Sequence, residues 1–331
     1  LYPRMKAVIE KETGVLVAGY VPELDFWQVG SRHLGLVLPG EIENLQEQMR
    51  QLGDCLEKTL DVDVLLKLGE KADIDVLGSV TVTADGSSQK CEAQKNADLV
   101  LQNQFAGEKI SHSAIPIRLG VAWDEAFCFY YRDNLEFLEK QGVQIVQFSP
   151  VHDKHLPDDL DGLLLGGGYP ELYAKALEEN ETIRNEIRRK AEEDMPILAE
   201  CGGYLYLLKE LEDENGTGYE MAGVFSGKGY KKGKNSHFGY ITVQTEKDSL
   251  YLKAGETIKG HEFHYWESTQ DENELKMQAK KPTGKRSWPC VTVKNQVMAG
   301  FPHLYYPSQE GFGERFVQAC DRYRMKRKRQ Q

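Results

Sequence analysis

Residues 196–207 read Pro196-Ile197-Leu198-Ala199-Glu200-Cys201-Gly202-Gly203-Tyr204-Leu205-Tyr206-Leu207. A short apolar run ends at a cysteine, two glycines follow, and an apolar pattern of helical spacing begins. An α/β protein builds a sharp strand-to-helix elbow this way and holds a nucleophile at its tip. A helix N-terminus there offers free N–H groups and a positive dipole end, so the reading expects thiolate to be favoured over thiol at Cys201. The N–H just after Cys201 is placed to meet an oxyanion. The competing reading of the same residues is a buried cysteine that packs as a small hydrophobe.

Working outward, strand and helix patterns alternate. Ile115 to Ala122 reads as a strand, Glu125 to Gln141 as a helix, and Val143 to Phe148 as a strand. Asp161 to Leu165 is a strand that runs into Gly166-Gly167-Gly168, and Glu171 to about Glu193 is a charged amphipathic helix before the elbow strand. This alternation predicts a parallel sheet covered by helices on both faces. Ligands of such sheets bind beyond the carboxyl ends of the strands, where the triple glycine and Cys201 both fall. Three glycines after a strand let backbone N–H groups approach a ligand closely. No lysine and Ser/Thr follow as GxxxxGK[ST] requires, so a second oxyanion donor fits better than a phosphate loop, with a plain tight turn as the bland alternative.

Earlier in the chain, Gly14 to Tyr20 reads as one buried strand ended by Pro22, and residues 40–75 read as helices, with Leu45, Met49, Leu52, Leu56 and Leu60 at helical spacing. The chain begins at Leu1. Residues 1–80 are expected to be the tail of a domain whose beginning is absent, 81–112 a polar linker, and 113–331 the domain that carries the elbow.

The length of 331 residues suits two units rather than one, and a net charge of -11 argues against nucleic acid as a general partner. The basic run from Arg322 to Arg329 reads as a solvated terminus. No stretch is long and apolar enough to span a membrane. Six scattered cysteines without a CxxC pair point to a reducing, cytoplasmic setting with no zinc site and no disulfide framework.

A thiol nucleophile needs a base. Three histidines lie in suggestive surroundings: His261 and His264 in Gly260-His261-Glu262-Phe263-His264-Tyr265, and His303 after a strand around Val291-Thr292-Val293. H-E-x-H is not the H-E-x-x-H of a zinc helix. In an alternating strand His261 and Phe263 share one face, Glu262 and His264 the other. Spacing alone does not choose the base among the three.

Gly166-Gly167-Gly168-Tyr169-Pro170-Glu171, Ala199-Glu200-Cys201-Gly202-Gly203, His237-Phe238-Gly239-Tyr240 and Gly260-His261-Glu262-Phe263-His264-Tyr265 occur in this order. Together they resemble the class I glutamine amidotransferase domain of the cobyrinate a,c-diamide synthase family. Ala126 to Tyr131, taken as opening a helix, and Ser31 to Val37 are similar to that family too, so the resemblance covers nearly the whole chain.

The resemblance implies a three-layer, parallel-sheet glutaminase domain preceded by the end of a P-loop-type ATP-binding domain. It implies Cys201 as nucleophile and His303 as the late catalytic histidine. Gly167, Gly168 and Gly202 would form the oxyanion hole, and Tyr169, Tyr240, His261, Glu262 and His264 would line the binding crevice. The implied partners are glutamine, cobyrinate and the absent ATP-binding domain, with a homodimer open. ATP and Mg2+ belong to the full-length enzyme and no cofactor to this chain. One departure concerns the position two residues after His303, where the family usually has a second histidine and related amidotransferases an orienting glutamate; here it is Tyr305. Other readings stay open: the same chemistry on another tetrapyrrole such as nickel sirohydrochlorin, a cysteine peptidase-like hydrolase, or an inactive glutaminase-like interaction module.

Overall fold

A computed structural model describes residues 1–27, 30–32, 35–37, 39–71, 116–232, 237–270, 275–283 and 286–329. The chain divides into two compact units, Leu1–Ser111 and His112–Gln331. The proposed linker 81–112 lies outside the described residues, as do His33 and Leu34 of the early motif.

The first unit contains helices α1 (Tyr2–Thr13), α2 (Leu45–Thr59) and α3 (Val62–Lys71) and a two-stranded ribbon of β1 (Ser31–Arg32) and β2 (Gly35–Leu36). Residues 14–20 do not form the buried strand that their apolar run predicts. Val15 and Leu16 are exposed, and among the described residues the segment's one ladder contact is an isolated bridge between Gly19 and Leu60. A strand needs a neighbour to satisfy its backbone, and here the run instead lies along the end of α2, with the Tyr20 N–H on the Thr59 carbonyl at 3.2 Å.

The second unit is built on a ten-stranded sheet. Its strands are β3 (Ile117–Ala122), β5 (Val143–Phe148), β6 (Gly162–Leu165), β8 (Ile197–Glu200), β12 (His237–Gln244), β13 (Thr257–His264), β15 (Leu275–Lys280), β16 (Ser287–Lys294), β17 (Val297–Gly300) and β18 (His303–Leu304). Their spatial order is β18-β13-β12-β15-β16-β17-β8-β6-β3-β5. The stretch from β17 to β5 is parallel, as the alternating pattern predicts. From β16 to β18 every pairing is antiparallel, so the sheet is mixed rather than wholly parallel.

Alternation along the parallel strands sends side chains into two cores. Leu163, Leu165, Ile197 and Ala199 meet helices α5 (Ala174–Glu179), α6 (Glu181–Glu192) and α7 (Gly202–Leu207) on one face. On the other, Leu164, Leu198 and Met298 meet α4 (Arg132–Lys140) and α8 (Glu310–Lys328). This is the three-layer α/β architecture.

Two helical expectations are corrected. Phe127–Phe129 is a strand, β4, because it pairs with the glycine loop β7 (Gly167–Gly168) rather than opening a helix. The stretch after Glu171 is broken into a 3-10 turn (Pro170–Leu172), α5 and α6, with Asn180 outside helical geometry between the last two. The basic run near the end belongs to α8 and is not simply solvated: Arg324 is buried, and Arg327 pairs with Asp161 at 3.1 Å. Beside this sheet lies a four-stranded one of β9 (Glu210–Glu212), β10 (Gly218–Glu220), β11 (Lys228–Lys231) and β14 (Trp266–Ser268), in the order β10-β9-β11-β14.

The antiparallel half curls. Leu198 of β8 and Met298, Cys290, Met277, Ile241, Ile258 and Leu304 from the successive strands beyond it pack in one core. The outer strand β18 thereby returns to the carboxyl end of β8.

Candidate active site

Cys201 stands at the end of β8 with φ 50° and ψ −105°, backbone geometry that a β-substituted residue adopts only when the surroundings enforce it. Those surroundings are hydrogen bonds on both sides. The Cys201 N–H donates to the Gly300 carbonyl at 2.8 Å, and the Gly203 N–H donates to the Gly166 carbonyl at 2.8 Å. Both positions that follow the tip require glycine, and a Cβ on Gly203 would lie 2.1 Å from the Leu165 carbonyl oxygen. A Cβ on Gly202 would lie 2.9 Å from Pro170 Cδ and 3.0 Å from the Gly168 nitrogen, so the elbow and the glycine loop touch.

His303 reaches the same loop from β18. A Cβ on Gly167 would lie 2.3 Å from His303 Cε1, so the imidazole rests on the bare Cα of that glycine. Cys201, Gly202, Gly167, Gly168 and His303 are thus brought together by an edge strand of the curled sheet, the interior strand β8 and the loop between them. Tyr130 braces the loop from below: its hydroxyl donates to the Ala122 carbonyl and accepts the Gly166 N–H at 2.8 Å.

The other two histidines are placed differently. His261 sits directly opposite His303 in the ladder but faces the aromatic rings of Phe238 and Tyr240. His264 is buried, stacked on Phe301 with ring centroids 4.0 Å apart, and its Nδ1 meets the Trp266 carbonyl at 2.6 Å. Glu262, on the same face as His264, takes a hydrogen bond from Trp288 Nε1 at 3.0 Å. The predicted alternation therefore holds, and of the three histidines it is His303 that lies on the glycine loop. Tyr169 is buried edge-on against Phe129, and Tyr240 is 77% exposed.

The electrostatics reverse one expectation. Burial, then Glu171, Glu262 and Glu200, push the Cys201 thiol up to about 12, against the opposing Gly202 N–H. The six-residue helix α7 does not outweigh them, so the resting group is a thiol and not a thiolate. Burial, then the neighbouring His261 and His264, hold His303 down at about 4, so its ring is neutral near pH 7. Burial likewise lifts Glu262 to about 7 and Glu200 to about 8. The free site is a neutral thiol beside a neutral imidazole, surrounded by carboxyls that resist ionising.

Tyr305 does not replace an orienting carboxylate. Its hydroxyl donates to Asp133 on α4 at 3.0 Å, and its ring packs edge-on against Tyr131. Sequence reasoning missed the residues that brace this segment. Buried Asn134 donates to the Leu304 carbonyl at 2.7 Å and accepts the Tyr306 N–H at 2.9 Å. Glu200 accepts the Tyr306 hydroxyl at 3.0 Å. The one available signal for Glu200 was a carboxylate in an otherwise apolar strand, next to Cys201.

The model of the CobB/CobQ-like glutamine amidotransferase domain matches residues 118–311. Curated relatives named cobyrinate a,c-diamide synthase are similar over nearly the whole chain. That of Caldanaerobacter subterraneus subsp. tengcongensis is 34% identical over 323 residues, 97% of this chain and 65% of its own. That of Picrophilus torridus is 34% identical over 316 residues, 96% of this chain and 63% of its own. The Streptococcus sanguinis relative is 36% identical over 309 residues, 92% of this chain and 61% of its own. The chain thus spans slightly less than two thirds of the length of these relatives. Among solved structures, PurLQS from Thermotoga maritima aligns over 63% of this chain and 99% of its own, at 19% identity and a TM-score of 0.44.

Proposed function

The chain belongs to the CobB/CobQ-like glutamine amidotransferase domain family, and from that premise we propose that its second unit hydrolyses glutamine to glutamate and ammonia. The observation that carries the reading is the meeting of the strained Cys201 elbow and the His303 ring on one glycine loop. His303 takes the Cys201 proton while the sulfur attacks the side-chain amide carbonyl. The N–H of Gly202 and the Gly167–Gly168 loop receive the oxyanion. Protonated His303 returns its proton to the departing nitrogen, and ammonia leaves. Water then opens the glutamyl thioester with His303 again as base.

In a synthase of the relatives' full length the ammonia would amidate the a and c carboxylates of cobyrinate, the acceptor in the name that the curated relatives carry. ATP and Mg2+ would activate those carboxylates in the ATP-binding domain that partners this one. The sequence holds no GxxxxGK[ST] stretch, and among the described residues no group of three His, Cys, Asp or Glu is placed to hold a metal. Among the described residues, no helix is long and apolar enough to cross a membrane. A reducing, cytoplasmic setting keeps Cys201 a thiol.

The test is glutamate release from glutamine by the purified chain, compared with Cys201→Ser and with a peptide amide as alternative substrate. Glutamine turnover that Cys201→Ser abolishes supports the reading. Turnover of the peptide amide alone would replace it with a cysteine peptidase-like hydrolase.

A further inference from the structure

The base must be held at a fixed distance from the nucleophile, yet His303 and Cys201 stand on strands that are not neighbours. Between β18 and β8 the sheet runs through β13, β12, β15, β16 and β17. Small errors along such a path accumulate, so a direct tie is needed. Tyr305, the side chain placed to reach back to the ring, turns outward to Asp133 instead.

The segment after His303 is gripped from three sides. From β13, the Lys259 carbonyl accepts the Tyr305 N–H at 2.8 Å. From α4, the Asn134 amide brackets residue 305 by binding the Leu304 carbonyl and the Tyr306 N–H. From β8, the Glu200 carboxyl accepts the Tyr306 hydroxyl at 3.0 Å. The first two supports fix the segment to its own surroundings. The third belongs to the residue that immediately precedes the nucleophile.

On the glutaminase reading above, we propose that Glu200 is a positioning residue for His303: its buried carboxyl ties the segment that follows the base to the strand that carries Cys201, and so sets the distance between them. Glu200 is 6% exposed and its carboxyl is engaged by Tyr306, so it acts through the segment rather than on substrate. It supplies from the nucleophile's side the restraint that a carboxylate two residues after the base would supply from the base's side.

The experiment compares Glu200→Ala, Glu200→Gln and Tyr306→Phe with the wild-type chain and His303→Ala. Two readouts are taken: kcat and KM for glutamate release, and the rate of Cys201 alkylation by iodoacetamide as a function of pH. Glu200→Ala is expected to lower kcat about 10²-fold with KM changed less than about threefold, the signature of misplaced groups rather than lost binding. Its alkylation profile is expected to move toward that of His303→Ala. Glu200→Gln, which keeps a carbonyl acceptor in place, is expected to restore most of the loss, and Tyr306→Phe to fall between. A folded Glu200→Ala chain with wild-type kcat and a wild-type alkylation profile would overturn the proposal. Should Glu200→Ala fail to fold, an unaltered profile in Tyr306→Phe would overturn it equally. The alkylation readout does not need glutamine turnover, so a chain that releases no glutamate but still shows His303-dependent alkylation would refute the glutaminase reading and leave the role of Glu200 decided by its own variants.

Discussion

The parallel and antiparallel halves of the large sheet contribute opposite kinds of group to one site. The parallel half brings Cys201 and, through the loop after β6, Gly167 and Gly168, all within a few residues of strand ends. The antiparallel half brings His303 on a two-residue edge strand that reaches the loop because the sheet curls. Burial acts on the two with opposite sign. It raises the acids of β8 and the elbow, Glu200 and Cys201, and lowers the base of β18, His303. A local motif can present a nucleophile, whereas the base depends on how a distant edge is carried back to it.

The sharpest way to break this comparison is to remove one contributor at a time. Cys201→Ala should lower glutamate release by about 10⁴-fold or more, since no covalent route remains. His303→Ala should cost roughly 10²–10⁴-fold, the usual worth of a positioned base, with Cys201 still present for alkylation. Equal residual rates in the two variants would fit a pair acting as a unit, and an unaffected His303→Ala would remove the antiparallel half from the chemistry. Gly167→Ala tests the loop between them. The added methyl would lie 2.3 Å from His303 Cε1, so the ring must move, and kcat should fall about 10²-fold while KM changes little. Unchanged kinetics would mean that the ring has room to yield.

What could be read from the sequence follows the same division. The elbow, the glycine loop and the four parallel strands β3, β5, β6 and β8 are written in short, contiguous patterns, and the structure has them where those patterns put them. Spacing narrowed the base only to three histidines, and the resemblance alone singled out His303, because its place depends on a curl made by seven strands rather than on its neighbours in sequence. Glu200, Asn134 and Tyr306 were not legible as a bracing set, since they come from three elements far apart in the chain. The run from Gly14 to Tyr20 shows the reverse failure: an apolar stretch with strand character but no partner strand to make it one.

The opposite shifts also predict opposite pH behaviour for stability. His303 is lowered from 6.5 to about 4 in the folded chain, so what its neutral form contributes is fully present above pH 6.5 and is lost as pH falls through 4. Glu200 is raised from 4.5 to about 8, so its contribution is fully present below pH 4.5 and is lost as pH rises through 8. Urea unfolding midpoints across pH should therefore flatten on the acid side in His303→Gln and on the alkaline side in Glu200→Gln. A single variant that flattens both limbs would contradict the assignment. The smallest effect belongs to Tyr305→Phe. Losing a partly exposed hydrogen bond to Asp133 should cost about 1 kcal/mol or less in stability and change kcat less than about threefold. A large loss of kcat would return Tyr305 to the catalytic machinery.

The central claim, that Cys201 and His303 form one nucleophilic pair across the two halves of the sheet, is tested most directly by acid-quenching the chain during reaction with glutamine and mapping the acylated peptide. A glutamyl adduct on Cys201 in the wild-type chain, lost in His303→Ala, is the result the account predicts. An adduct on another residue, or one on Cys201 that forms equally fast without His303, would contradict it.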